Sequence, residues 1–287
     1  MLAIYKKELR AYFTSMIGYV FIALFLAIIG IHFYMYNLLN RVANFEYTVA
    51  QVSFIFVLLV PLLTMRLMAE ENKQKTDQLL FTSPVTAKDI IMGKYFAVFT
   101  ILCIVIAVIS SYPLIMTLYG DVPFATSYAS LIGFVLLGGA YIAMGLYLSS
   151  LTDSQVVAAV ITFIVFFATL FMEGIARSLS TNSRTAFIFF IVLIAAICLI
   201  LWTMMRNLPV CIGTGIIGAG ILTAIYLLKP TMLDGSIVRV FNWLSVTVRF
   251  NNFYMGIFDL ADIIYYLSIT FVFLFLSIQV IKKKRWS

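Results

Sequence analysis

Residues 95–118 read YFAVFTILCIVIAVISSYPLIMTL, a run containing no Asp, Glu, Lys or Arg. A helix of about 20 apolar residues crosses a hydrocarbon core of about 30 Å, so a run of this length reads as a membrane span. Working outward, further charge-free runs are Ile17–Tyr36, Val49–Met65, Tyr128–Ser150, Val156–Met172, Thr185–Met205, Val210–Leu228 and Ile263–Ile281. None alternates polar and apolar residues as barrel strands do. The pattern predicts an all-α polytopic membrane protein, a bundle of about eight transmembrane helices within one domain, 1–287.

Composition supports that class and excludes others. Of 287 residues, 63% are hydrophobic, and only 19 basic and 12 acidic residues are present. A soluble domain of this size, at about 25% charged residues, would carry more than twice as many. Mean hydropathy is +1.08, and too few polar groups remain to coat a soluble surface. Disordered, collagen-like and disulfide-framework chains are excluded by the same numbers. Cys103, Cys198 and Cys211 sit inside apolar runs at spacings that fit neither zinc nor a disulfide framework, and read as small buried hydrophobes. The formal charge of +7 is what basic residues at the cytoplasmic edges of a membrane protein produce, and implies no nucleic acid.

Residues 1–15 are too polar for a signal-peptide core and run on into a full-length span. Leu2, Tyr5, Leu9, Tyr12 and Phe13 share one helical stripe, with Lys6, Lys7 and Arg10 opposite, which predicts a helix lying in the membrane interface. A cytoplasmic N-terminus places Lys6, Lys7, Arg10, Arg66, Lys73, Lys75, Lys88, Lys94, Arg206, Lys282, Lys283, Lys284 and Arg285 inside. Only Arg41, Arg177, Arg184, Lys229, Arg239 and Arg249 then lie outside. The positive-inside rule selects this orientation, with both termini cytoplasmic and the cell membrane as location.

Absences narrow the chemistry. No span has a charged residue in its interior, so no proton relay or voltage sensor is indicated. His32, the lone histidine, reads as a packing or interface residue near the end of the first span. Gly93–Lys94 resembles the end of a phosphate-binding loop, but Lys88 stands where its first glycine belongs, so no nucleotide site is read there. The chain reads as no enzyme, with no cofactor or metal of its own. Gly139/Ala143, Gly145/Ser149, Gly215/Ala219 and Gly220/Ala224, each four apart, predict close helix approach.

Two connections are long. The cytoplasmic one, 66–94, holds a helix-forming middle, a break at Pro84, and a second start where Thr86 and Asp89 have capping-box spacing. Leu79, Leu80 and Phe81 are apolar residues in a polar loop, the pattern of a docking patch, with folding back on the membrane interface as the alternative. The external one, 229–262, spaces Ile237, Phe241 and Leu244 along one helical face, with Trp243, Arg239 and Arg249 suited to a membrane boundary. Phe250 and Phe253 follow. Together Ile237, Phe241, Leu244, Phe250 and Phe253 are candidates for an external gate, with an interfacial anchor as the alternative.

The order of these features resembles a known family. Met65 to Lys94, a basic-acidic segment followed by Leu79–Leu80, Pro84 and Ile90-Ile91-Met92-Gly93-Lys94, looks like the permease subunit of ABC transporters of the ABC-two type. Gly145-Leu-Tyr-Leu-Ser149-Ser150-Leu-Thr152, the stretch Phe250–Ser268 and the tail Lys284-Arg285-Trp286 are also similar. Within that type the gliding-motility-associated and multidrug-like permeases are the nearest in kind. Relatives usually have a glycine just before Thr76, where this chain has Lys75. Their minimum is six spans, which makes Thr185–Leu228 an extra hairpin on a six-span core.

The resemblance implies an ATP-driven exporter, built from two permease chains, identical or paired, over two ATPase subunits. ATP and magnesium are then bound by the ATPase, and this chain supplies the translocation path. It also implies that Glu70, Glu71, Asn72, Lys73, Thr76, Leu79, Leu80 and Phe81 lie on or beside the coupling helix that seats in the ATPase. The rival readings are a membrane assembly subunit without an ATPase and a secondary transporter. The second normally needs ionisable or unwound midplane sites.

Overall fold

The computed structural model describes residues 1–75, 85–118, 120–179, 181–205 and 208–286. Among them the regular elements are helical, and no strand occurs. The described residues divide into two compact units, 1–168 with 249–287, and 169–248.

The first unit starts with α1 (Leu2–Thr14), which turns at Ser15 into α2 (Met16–His32). A π-helical stretch, Phe33–Leu39, prolongs α2, so the first candidate span is Met16–Leu39. Asn37 in that stretch is buried. Its amide donates to the Val42 and Asn44 carbonyls, and it accepts from Thr48 at 2.5 Å.

The second run differs from the expectation of one straight span. It is a broken pair, α3 (Phe45–Val52) and α4 (Ile55–Thr64), the latter continuing through α5 (Arg66–Gln74), with a 55° bend at the break. Ser53 lies at the break: its backbone N–H and its hydroxyl both donate to the Ala50 carbonyl. Such i−3 bonding tightens the last turn of α3 and bends the chain.

α6 (Ala87–Ile109) and the short α7 (Tyr112–Met116) form the third candidate span. α8 (Phe124–Ser150) and α9 (Gln155–Ser178) follow, and α14 (Leu260–Trp286) closes the unit after the short α13 (Phe250–Tyr254). α8 is the centre: 72% of its apolar window is buried, against at most 39% in any other candidate span. Phe134 and Tyr141 of α8 meet Phe56 of α4, Phe166 of α9 and Phe250 of α13 in a continuous aromatic core. Close approach is built in at Gly145, where a Cβ would stand 2.8 Å from Thr64 Cβ, and at Gly133, where it would stand 2.5 Å from the Phe253 ring.

The second unit contains α10 (Ser183–Met205), α11 (Leu208–Leu228) and α12 (Ser236–Leu244). Phe187 packs on Tyr226, and Cys198 lies 3.9 Å from Thr214, so α10 and α11 run antiparallel. Ala186, Leu233 and Ile237 form its small buried core, flanked by Phe189 and Phe241.

Five helices are long and apolar enough to cross a membrane, or six with the bent pair counted as one span. They correspond to the first five runs read from sequence and the last. In the expected extra hairpin the described apolar stretches, Ser183–Ala196 and Gly213–Leu228, are shorter, and the count of eight is not reached. Cys103 and Cys198 are half-buried rather than core residues.

Candidate functional site: the junction of α1, α5 and α6

The termini, α5, the start of α6 and the end of α8 gather at one end of the first unit. α5 follows α4 directly and stops at Lys75, whose backbone is left-handed (φ 56°). A residue with a Cβ is strained in that conformation, in which glycine ends helices without penalty. α6 starts where the sequence predicted: the Thr86 hydroxyl accepts from the Asp89 N–H and donates to the Asp89 carboxylate. Thr76, Leu79, Leu80 and Phe81, which fall between these helices, lie outside the described residues.

Between the two helices sits α1, held by ions. Lys94 of α6 is buried to 1% exposure, with its ammonium 2.9 Å from Glu8 Oε1 and 2.8 Å from Glu71 Oε2. The same Nζ donates to the Leu67 carbonyl at 2.6 Å. Lys7 pairs with the other oxygen of Glu71 at 3.0 Å. Burial opposes the charge on Lys7, but the hydrogen bond and charge of Glu71 outweigh it and hold the ammonium above its ordinary pKa. Arg66 pairs with Glu70, donates to the Ser15 hydroxyl and stacks 5.5 Å from the Tyr12 ring. The Tyr12 hydroxyl donates to the Leu63 carbonyl at 2.7 Å. A polar cleft of about 300 Å³ remains among Lys7, Glu8, Arg66, Glu70, Glu71 and Lys94.

The residues matched by the family described as ABC-2 family transporter protein are 4–208, more than half of the chain, from α1 into α11. The chain belongs to that family. It is a membrane-embedded ABC transporter permease. No curated protein matches it by sequence.

The coupling candidates of this permease split in two. Glu70 and Glu71 are committed to Arg66, Lys94 and Lys7, and Asn72 donates to the Thr152 carbonyl from a buried position. Lys73 alone of the described four is exposed. The site residues that sequence reading missed are Glu8 and Lys94. One signal was available: Ile4, Glu8 and Tyr12, spaced by four, are the buried face of α1, whereas Leu2 is 71% exposed. Gly93, read against a phosphate loop, is a contact point instead: a Cβ there would meet the Ile4 side chain at 3.0 Å.

The external-gate candidates fall in different units. Ile237 is buried in the core of the second unit, Phe241 packs on Phe189, and Leu244 is exposed beside Trp243. Phe250 and Phe253 are core residues of the first unit, against Phe134 and Tyr266. Next to them Asp262 is fully buried, paired with Arg249 at 2.9 Å and Asn252 at 2.6 Å. Among the described residues no cluster of His, Cys, Asp and Glu could hold a metal.

Proposed function

We propose that this permease works as an ATP-driven exporter, paired with a second permease chain and seated on ATPase subunits through the connection between α5 and α6. The observation that carries this reading is the junction itself. Within the family match, α5 leads into the connection and α6 leads out of it, while α1 is ion-paired to both, through Lys7 to Glu71 and through Glu8 to Lys94. A chain that only anchored an assembly would gain nothing from tying that connection to a membrane helix. Asp and Glu are absent from the apolar runs, which disfavours a secondary transporter.

On this reading the termini end is cytoplasmic, as the basic residues favour, and Lys73 with the residues after it faces the ATPase. α1 lies along the interface with its Leu9 and Phe13 flank towards lipid. α10 and α11 form an added transmembrane hairpin; at about 1.5 Å per residue their 23 and 21 residues suffice for a span. α12 serves as an outer-leaflet anchor through Trp243 and Leu244. A gating role has less support, because Ile237 and Phe241 are already engaged with α10. Kinship to the gliding-motility-associated permeases remains part of the same proposal.

The test is gentle solubilisation of the chain from its native membrane, followed by asking whether an ABC ATPase accompanies it. Replacing Leu79 and Leu80 by Asp should leave insertion intact and remove the ATPase. An ATPase retained in full by that double variant would exclude this connection as the docking element.

A further inference from the structure

A lysine buried as deeply as Lys94 is costly unless its charge is fully met. Its ammonium has three N–H donors, and three acceptors surround it: Glu8 of α1, and Glu71 and the Leu67 carbonyl of α5. The ammonium hydrogen-bonds Glu8 and the Leu67 carbonyl, and Glu71 Oε2 meets its charge as an ion pair at 2.8 Å. Withdrawing either α1 or α5 from α6 would leave the buried ammonium short of a carboxylate. Gly93 adds the steric half of the same arrangement, since its missing side chain is what lets Ile4 approach α6. Tyr5 then meets Thr100 further along α6, at 3.1 Å.

We propose that Lys94 is a positioning residue that makes α1, α5 and the first turns of α6 one rigid body. A displacement imposed by an ATPase between α5 and α6 then carries α1 with it, without slack. The inference rests on the exporter reading above and adds to it the element that moves and the residue that holds it. An ion cluster acting as a latch would do the opposite, opening during the cycle and releasing α1.

Lys6, Lys73 and Lys88 are exposed and take part in none of these ion pairs, so they can carry spin labels. Labels at Lys6 with Lys73, and at Lys6 with Lys88, would be placed in a chain whose native cysteines have been replaced. Distances are measured by electron paramagnetic resonance in the complete permease–ATPase complex, without nucleotide and after trapping with ATP and vanadate. Both distances should be the same in the two states. With Lys94→Met the distances should broaden and shift on trapping. ATP turnover should also fall about fivefold or more at unchanged ATPase content, the low end of ordinary coupling energies. Glu8→Gln, which keeps the side-chain shape, should act in the same direction more weakly and serves if Lys94→Met fails to fold. Distances that move in the unsubstituted complex, or variants that leave turnover and distances unaltered, would overturn the rigid body. A chain that brings no ATPase overturns the exporter reading as well; an ATPase present with mobile distances overturns this inference alone.

Discussion

Two buried ion clusters stabilise the first compact unit, and they are built on opposite plans. At the termini end, Lys94 joins Glu8 across 86 positions of sequence and the Leu67 carbonyl across 27. Near the start of α14, Asp262 finds Arg249 and Asn252 only 13 and 10 positions away. The second cluster fixes a local turn, α13 into α14. The first joins three helices that chain connectivity alone would leave free to separate. Both have a buried centre, Lys94 at 1% and Asp262 at 0% exposure, and a wetted partner, Lys7 in the first and, in the second, Arg249, which stacks over the Tyr265 ring. A long-range cluster transmits position between elements, and a local one shapes a turn.

The sharpest break of that comparison is a pair of single substitutions followed by far-ultraviolet circular dichroism as denaturant unfolds the detergent-solubilised chain. Lys94→Met leaves Glu8 and Glu71 buried with only Lys7 nearby, and should cost about 3–5 kcal/mol. Asp262→Asn keeps a hydrogen-bonding side chain and lets Arg249 turn to water, so about 1.5–2 kcal/mol should be lost. Equal losses would remove the distinction between the clusters. A smaller effect separates two of the small-residue pairs. Gly145→Val pushes a branched side chain into Thr64 and should cost about 1–3 kcal/mol. Gly220→Ala meets nothing within 4 Å, and should be neutral or stabilise by at most about 1 kcal/mol through helix propensity. The smallest effect lies at the end of α5. Lys75→Gly relieves a left-handed backbone and should stabilise by about 0.5–1 kcal/mol, whereas Lys75→Ala should not.

What the sequence made legible was local. Charge-free runs marked the candidate spans to within about eight residues at their ends, and Thr86 with Asp89 marked the start of α6 because a capping box is a contact three residues long. The bend at Ser53 escaped notice because a lone serine in an apolar run is equally at home in a straight helix. Lys94 was passed over for a related reason. Beside Gly93 it invited comparison with a local motif, while its true partners are set by tertiary packing of α1 and α5. Phe250 and Phe253 read as loop aromatics because Phe250 packs on Phe134 and Phe253 on Gly133 and Tyr266, which no local pattern connects to them.

The central claim is that the termini end, gathered around Lys94, is the end that meets the ATPase. Cysteine cross-linking in native membranes tests it directly, with one exposed site at each end of the first unit: Lys73 in the last turn of α5, and Asp121 before α8. Lys73→Cys should capture an ATPase subunit in a cross-linked pair, and Asp121→Cys should capture none. Capture from Asp121→Cys, or none from Lys73→Cys while the ATPase still co-purifies, would contradict the account.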